Sequence, residues 1–247
     1  MKGRCLLWAL LGALALAAVH GCGQDLLEQG LAAQKAKDHT QAVELLGRFV
    51  QQSPRQPEAW KALALSLVAL ERRSEALRCL DQGLAANPRN IALLMAKGKV
   101  LGELERHQEA IAVFSEVLAL EPAHAEAYKE RAEALIQEGE LERARTDVGK
   151  AVTLAPADPW AHHKLGMVEF ALGRYDEAVK AFSTAIRLAP DSPLFYFSRG
   201  QIYLRHLNRR EQAVADFQQG CALGHPLCCE ELERLKTGAP TTANQKK

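Results

Sequence analysis

Small and bulky apolar residues recur along this chain on a spacing of 34 residues. In frames that start at 23, 57, 91, 125, 159 and 193, the eighth place is always small: Gly30, Ala64, Gly98, Ala132, Gly166 and Gly200. The twentieth place is Ala42, Ala76, Ala110, Ala144 and Ala178, and the thirty-second is Pro54, Pro88, Pro122, Pro156 and Pro190. Bulky residues hold the fourth place (Leu26, Trp60, Leu94, Tyr128, Tyr196) and the twenty-fourth (Leu46, Leu80, Phe114, Val148, Phe182, Phe217). The sixth frame carries one extra residue around 206–210, so Ala213 and Phe217 take the alanine and aromatic places there. A fixed period of this length marks a repeat architecture. The pattern predicts two helices per unit that cross closely. Only Gly or Ala at the eighth and twentieth places lets their backbones approach, larger residues fill the spaces between, and proline ends the second helix because it lacks an N–H and disfavours helix at the residue before it.

The clearest unit, 159–192, reads PWAHHKLGMVEFALGRYDEAVKAFSTAIRLAPDS. Its Leu165-Gly166, Gly173, Tyr175, Ala178, Phe182, Ala185 and Pro190 resemble the tetratricopeptide repeat (TPR), a helix-turn-helix unit. The resemblance implies an all-α, right-handed solenoid of six such units over 22–227. A capping helix is expected over 228–236, where PLCCEELERLK carries a charged face, and a disordered tail over 237–247. The seventh place departs from the pattern at Gln29, Lys97, Arg131 and Arg199, and the eleventh at Glu169. These departures are expected to loosen the packing locally.

In this family the first helices line a concave groove through places 2, 5, 9, 12 and 13. Carried over, the middle units offer a mixed-charge surface of Lys61, Lys99, Glu103, Glu126, Lys129 and Glu133. The last two units offer a largely apolar one: Trp160, His163, Met167, Phe170, Leu194, Phe197 and Leu204. An exposed apolar patch of that size marks an interaction site. The other reading is that Trp160 and Phe197 fold back as ordinary core. Chaperone-binding relatives use lysine at place 5 with asparagine at place 9. Here Lys61 is followed by Leu65 and Lys129 by Glu133, so an EEVD-type ligand is not expected.

The N-terminus has a different character. Lys2 and Arg4 precede an uncharged, mostly apolar run over 5–19, the pattern of a secretory signal. Val19-His20-Gly21-Cys22 resembles the bacterial lipobox, which implies removal of 1–21, acylation of Cys22 and a membrane anchor made of lipid. Gly23 behind the cysteine, by resemblance to enterobacterial sorting rules, implies a periplasm-facing position on the outer membrane. The rival readings are cleavage after Ala15-Leu16-Ala17 and an uncleaved anchor. Removing 1–21 takes away Lys2 and Arg4 and no acid, so a net charge of +1 becomes about one negative charge. No basic face follows from that balance, and nucleic acid is not an expected partner.

Catalytic chemistry finds little footing. His162 and His163 are adjacent on a helix and point to different faces, and the chain has no glycine-rich phosphate loop. Neither a cofactor nor an enzymatic activity is expected. The run CALGHPLCC brings Cys221, His225, Cys228 and Cys229 close in sequence, but without the paired C-x-x-C of a zinc site. In an oxidising compartment a Cys221–Cys228 bridge is the expected outcome, with buried free thiols as the alternative. The arrangement also resembles Sel1-like repeats. Cys79 lies four units away, too far to pair.

Six units behind a lipobox resemble the pilot lipoproteins of type IV pilus secretins. The resemblance implies a protein-binding scaffold or assembly factor whose partner is a secretin subunit or another envelope protein. Alternatives are an adaptor for cell-wall enzymes and a regulatory subunit of an envelope enzyme or secretion complex. The sequence does not set the oligomeric state. If Cys22 carries the anchor, Cys22→Ser releases the protein from membranes or leaves it unprocessed, because stable attachment takes more than one acyl chain at about 0.8 kcal/mol per buried CH₂. Fractionation of that variant with the outer membrane, as for wild type, would place the anchor elsewhere.

Overall fold

The computed structural model describes residues 25–237. Cys22, the segment 1–21 expected as a signal, and the residues beyond 237 lie outside the described residues. Within them are thirteen helices and no strand. The chain divides into two compact units at Pro122/Ala123.

The first unit holds α1 (25–35), α2 (His39–Gln52), α3 (Pro57–Ala69), α4 (Arg73–Ala86), α5 (Ile91–Glu103) and α6 (His107–Leu120). The second holds α7 (Ala125–Gln137), α8 (Leu141–Leu154), α9 (Pro159–Ala171), α10 (Tyr175–Leu188), α11 (Pro193–Arg205), α12 (Arg210–Ala222) and α13 (Pro226–Thr237). Five of the six expected frame starts coincide with the first residue of a helix. Proline opens α3, α9 and α11 at a place where its missing N–H costs nothing. Within each unit, consecutive helices pack on one another.

The turn inside each repeat passes through the left-handed region at the fifteenth place: Lys37 (φ 63°), Glu71 (φ 61°), Glu105 (φ 58°), Gly139 (φ 75°) and Gly173 (φ 73°). The same two backbone hydrogen bonds close the turn whether or not glycine is present. In the second repeat Arg72 N–H donates to Leu67 O at 2.9 Å, and Glu71 N–H to Val68 O at 2.9 Å. The sixth repeat uses Asn208 (φ 51°) after its extra residue, between the ends of α11 and α12.

The close crossing is visible where the eighth place meets the twenty-fourth. A methyl group added at Gly166 would lie 2.7 Å from the Phe182 ring, one at Gly200 2.8 Å from Phe217, and one at Gly30 2.7 Å from Leu46. Phe182, Phe217 and Leu46 are correspondingly buried.

Three of the four seventh-place departures, Lys97, Arg131 and Arg199, are held by ion pairs to a second helix, while Gln29 is exposed. Arg131 donates two hydrogen bonds to Asp147, at 2.7 and 2.8 Å, and Arg199 donates two to Asp216, at 2.9 and 2.6 Å. Both carboxylates are buried on the second helix of the same repeat. In the first unit Lys97 pairs with Asp81 at 2.7 Å. At the eleventh place, buried Glu169 accepts from Arg145 at 2.7 Å, with Arg174 at 3.6 Å. Arg131 and Arg199 thus replace an apolar contact with a planar, two-point ionic one, a geometry that guanidinium and carboxylate fit.

Removing one partner of a buried pair strands the other charge. Arg199→Ala is therefore expected to cost about 3–5 kcal/mol, read as a depressed urea midpoint with unchanged slope, while the double replacement Arg199→Leu/Asp216→Leu recovers most of it. A single variant within about 0.5 kcal/mol of wild type, the range of ordinary surface changes, would show the pair to be incidental.

Candidate partner-binding hollow

The first helices of the last repeats, α9 and α11, together with α13, enclose an open hollow of about 510 Å³ in the second unit. Met167 and Phe170 come from α9, Phe197 and Ile202 from α11, and Leu227 from α13, with Phe182 of α10 behind them. Phe170 and Leu227 are 42% and 47% exposed, which is high for side chains this apolar. Arg205, Glu230 and Arg234 form a charged edge. Beneath it, buried Glu231 accepts from Gln201 at 3.2 Å and Arg205 at 3.1 Å, with Arg234 at 3.7 Å. The lining thus combines apolar walls with a few fixed polar groups, the make-up of a binding pocket.

Three of the expected groove residues, Met167, Phe170 and Phe197, meet in this hollow. Phe197 also stacks on His225 (4.9 Å between centroids, 20° between planes), so it serves as wall and as packing at once. Trp160 stands outside the hollow. It meets Phe195 edge-on at 5.0 Å yet stays 48% exposed. His163 is buried among Phe182 and Phe195, 5.3 and 5.1 Å away, and its Nε2 lies 3.3 Å from Ser198 Oγ. Leu204 packs against the Phe217–Cys228 cluster, and Leu194 is half-buried.

The charged set is distributed differently. In the second unit Lys129 is bound to Glu126 and Asp158, at 2.6 Å each, and Glu133 to Lys164. In the first, Lys61 and Lys99 are exposed and Glu103 accepts from Arg73 at 2.8 Å. Leu227, Glu230 and Arg234 were not anticipated. Counted from Pro226, they fall at the second, fifth and ninth places of an incomplete seventh repeat, so the helix expected as a cap is also a wall.

Family models of the tetratricopeptide repeat match residues 33–100 and 95–159, and a TPR repeat model matches 166–206. The chain is a tetratricopeptide-repeat protein. A comparison with curated proteins finds no match. Among solved structures, PilW, a widely conserved type IV pilus biogenesis factor, is similar over 87% of this chain and 98% of its own, with TM-score 0.76 and 19% identity. Pseudomonas aeruginosa PilF is similar over 88% and 99%, with TM-score 0.71 and 17% identity. MamA from Desulfovibrio magneticus RS-1 is similar over 73% and 96%, with TM-score 0.60 and 23% identity. At these identities the likeness is one of fold.

The TPR frame explains where the cysteines go. The expected Cys221–Cys228 bridge is not formed: Cys221 pairs with Cys229, Cα atoms 4.9 Å apart, and Cys228 is a buried free thiol. The third place of every preceding full frame after the first is completely buried, as Ala59, Leu93, Ala127, Ala161 and Phe195. Cys228 holds that place in α13 and points into the core. A helix turns about 100° per residue, so its neighbour Cys229 lies off that core face, partly exposed, and meets Cys221 at the last turn of α12. Burial pushes the Cys228 thiol up to about 11 and that of Cys79, against Trp60, up to about 12, which leaves both inert at neutral pH. Among the described residues no group of three His, Cys, Asp or Glu side chains gathers where a metal ion could sit.

Burial also lowers the His163 pKa from its ordinary 6.5 to about 4, with Lys164 adding to the effect. As pH falls below 6.5, the unfolded imidazole takes up a proton that the folded one does not. Stability is thus lost between about pH 6.5 and 4, by up to ~3 kcal/mol in all. His163→Leu is expected to flatten that part of the melting-temperature profile. A slope in the variant equal to that of wild type would remove His163 as its source.

Proposed function

We propose that this TPR protein is a lipid-anchored scaffold of the bacterial outer membrane that receives an envelope protein, a pilus secretin subunit, in the hollow of its second unit. The observation that carries the reading is the hollow itself: an open apolar surface lined from α9, α10, α11 and α13, in a unit where the expected groove charges Lys129 and Glu133 are paired with neighbouring side chains. Exposed aromatic and aliphatic side chains around a concave site supply the anchors from which binding energy is drawn. The lipobox-like segment ending at Cys22 supports the membrane position. The fold shared with PilW, a type IV pilus biogenesis factor, supports the choice of partner. The charged edge formed by Arg205, Glu230 and Arg234 would then steer approach and orientation rather than supply most of the affinity.

Affinity capture from solubilised envelopes tests the reading. Recovery of a secretin is the expected result, whereas recovery of hydrolases or transpeptidases would favour the cell-wall adaptor. The double variant Phe170→Ser/Leu227→Ser should reduce capture at least about 100-fold, as for anchors costing 2 kcal/mol or more, with little change in melting because both side chains are already largely exposed. Undiminished capture by that variant would move the site to another surface.

A further inference from the structure

We propose that the Cys221–Cys229 disulfide completes the hollow, so that the protein becomes competent to bind only after this bridge has formed. The inference rests on the reading of the hollow as the partner site. The bridge joins the last turn of α12 to the first turn of α13. That first turn supplies the third wall: Leu227 and Glu230 line the hollow from either side of the Cys228–Cys229 pair. As the last of the described helices, α13 has described neighbours on one side only, the position from which repeat arrays fray. Its other ties are non-covalent: the packing of Cys228, Leu232 and Leu235 on the Phe217 core, the His225 N–H bond to Gly220 O at 2.9 Å, the Phe197–His225 stack, the Glu231 contacts with Gln201 and Arg205, and the bond from Arg210 to Leu235 O at 2.7 Å. The bridge adds the one covalent cross-link among the described residues between α12 and the Leu227 end of α13.

The structure also selects which thiol reacts. Cys228 and Cys229 are neighbours in sequence, but Cys228 is completely buried against Gly220 and Phe217, whereas Cys221 and Cys229 are both partly exposed. Formation is a two-electron exchange with a disulfide-bearing oxidant. The thiolate of one cysteine attacks a sulfur of the oxidant and expels a thiol. The second cysteine then attacks the mixed disulfide, which leaves the protein bridge and the oxidant as a dithiol, the two protons passing to its sulfurs. Until that exchange, the third wall is held by non-covalent contacts alone.

Two readouts on the same full-length protein test this. Hydrogen exchange compares oxidised wild type, wild type under a phosphine reductant, and Cys221→Ser. Amides of α13 should exchange roughly tenfold faster or more in the latter two, with α9–α11 unchanged, as expected when a short covalent loop is opened at a chain end. Purified secretin subunit, captured by the oxidised protein, should bind at least about fivefold more weakly to the reduced protein and to Cys221→Ser, with the Cys79→Ala variant retaining the full response to reductant. Equal exchange in α13 before and after reduction overturns the proposal, because the bridge then holds nothing. Faster exchange with unchanged secretin binding, in a protein whose binding is still sensitive to Phe170→Ser/Leu227→Ser, also overturns it while leaving the hollow as the site. Insensitivity of binding to both the reductant and that double variant is the failure of the functional reading itself.

Discussion

The fold depends on a single repeated contact, a residue with almost no side chain on one helix against a large ring or branched side chain on the next. Gly166 under Phe182 and Gly200 under Phe217 are the clearest cases, since even one added methyl group would collide with the ring. Interiors are packed at nearly crystalline density, so such a contact has few alternatives of equal energy. It fixes how far apart the two helices of a repeat lie, and thereby which places of the first helix are left over for the face that carries the hollow. Met167 and Phe170 reach the hollow because they follow Gly166 by one and four residues on a helix whose opposite side is committed to this crossing.

Much of this was legible in the sequence because the contact repeats. A small residue at the eighth place and a large one at the twenty-fourth can be counted without coordinates, and the helix starts at Pro57, Ile91, Ala125, Pro159 and Pro193 followed directly. Residues that act in pairs were less legible. Arg131 and Arg199 read as misfits in isolation, since their meaning lies with Asp147 and Asp216 on another helix, sixteen and seventeen residues away. The cysteine pairing was misread for a related reason. Cys228 was placed at the start of the next helix, across a short turn from Cys221, without its place in the repeat being counted; Pro226 begins that helix in the same register as its predecessors, and the register assigns Cys228 to the core.

The groove residues divide along the same line. Family geometry says which places face inward, and of those residues Met167, Phe170 and Phe197 line one hollow. It does not say how deep each place lies when neighbours are large. His163 is covered because Phe182 and Phe195 close over it, and Leu204 is drawn toward the last helix. Depth is set by three-body packing that a one-dimensional pattern does not carry. Leu227, Glu230 and Arg234 escaped notice as groove residues because the count of repeats had stopped with the sixth.

The buried arginine–aspartate pairs have a consequence for how such a chain finds its own partners. Repeats that look alike to one another invite mispairing, in which a helix settles against its neighbour's partner one period away. In the second unit the fourth and sixth repeats carry the charge pair, while the fifth has Leu165 and Ala181 at the corresponding places. A slip by one repeat would leave Asp147 facing Leu165, or Arg131 facing Ala181, with nothing to neutralise either. Burying such a charge alone costs several kcal/mol. The alternation therefore works as a key cut into an otherwise periodic surface, one that recognises the correct alignment by rejecting the next nearest.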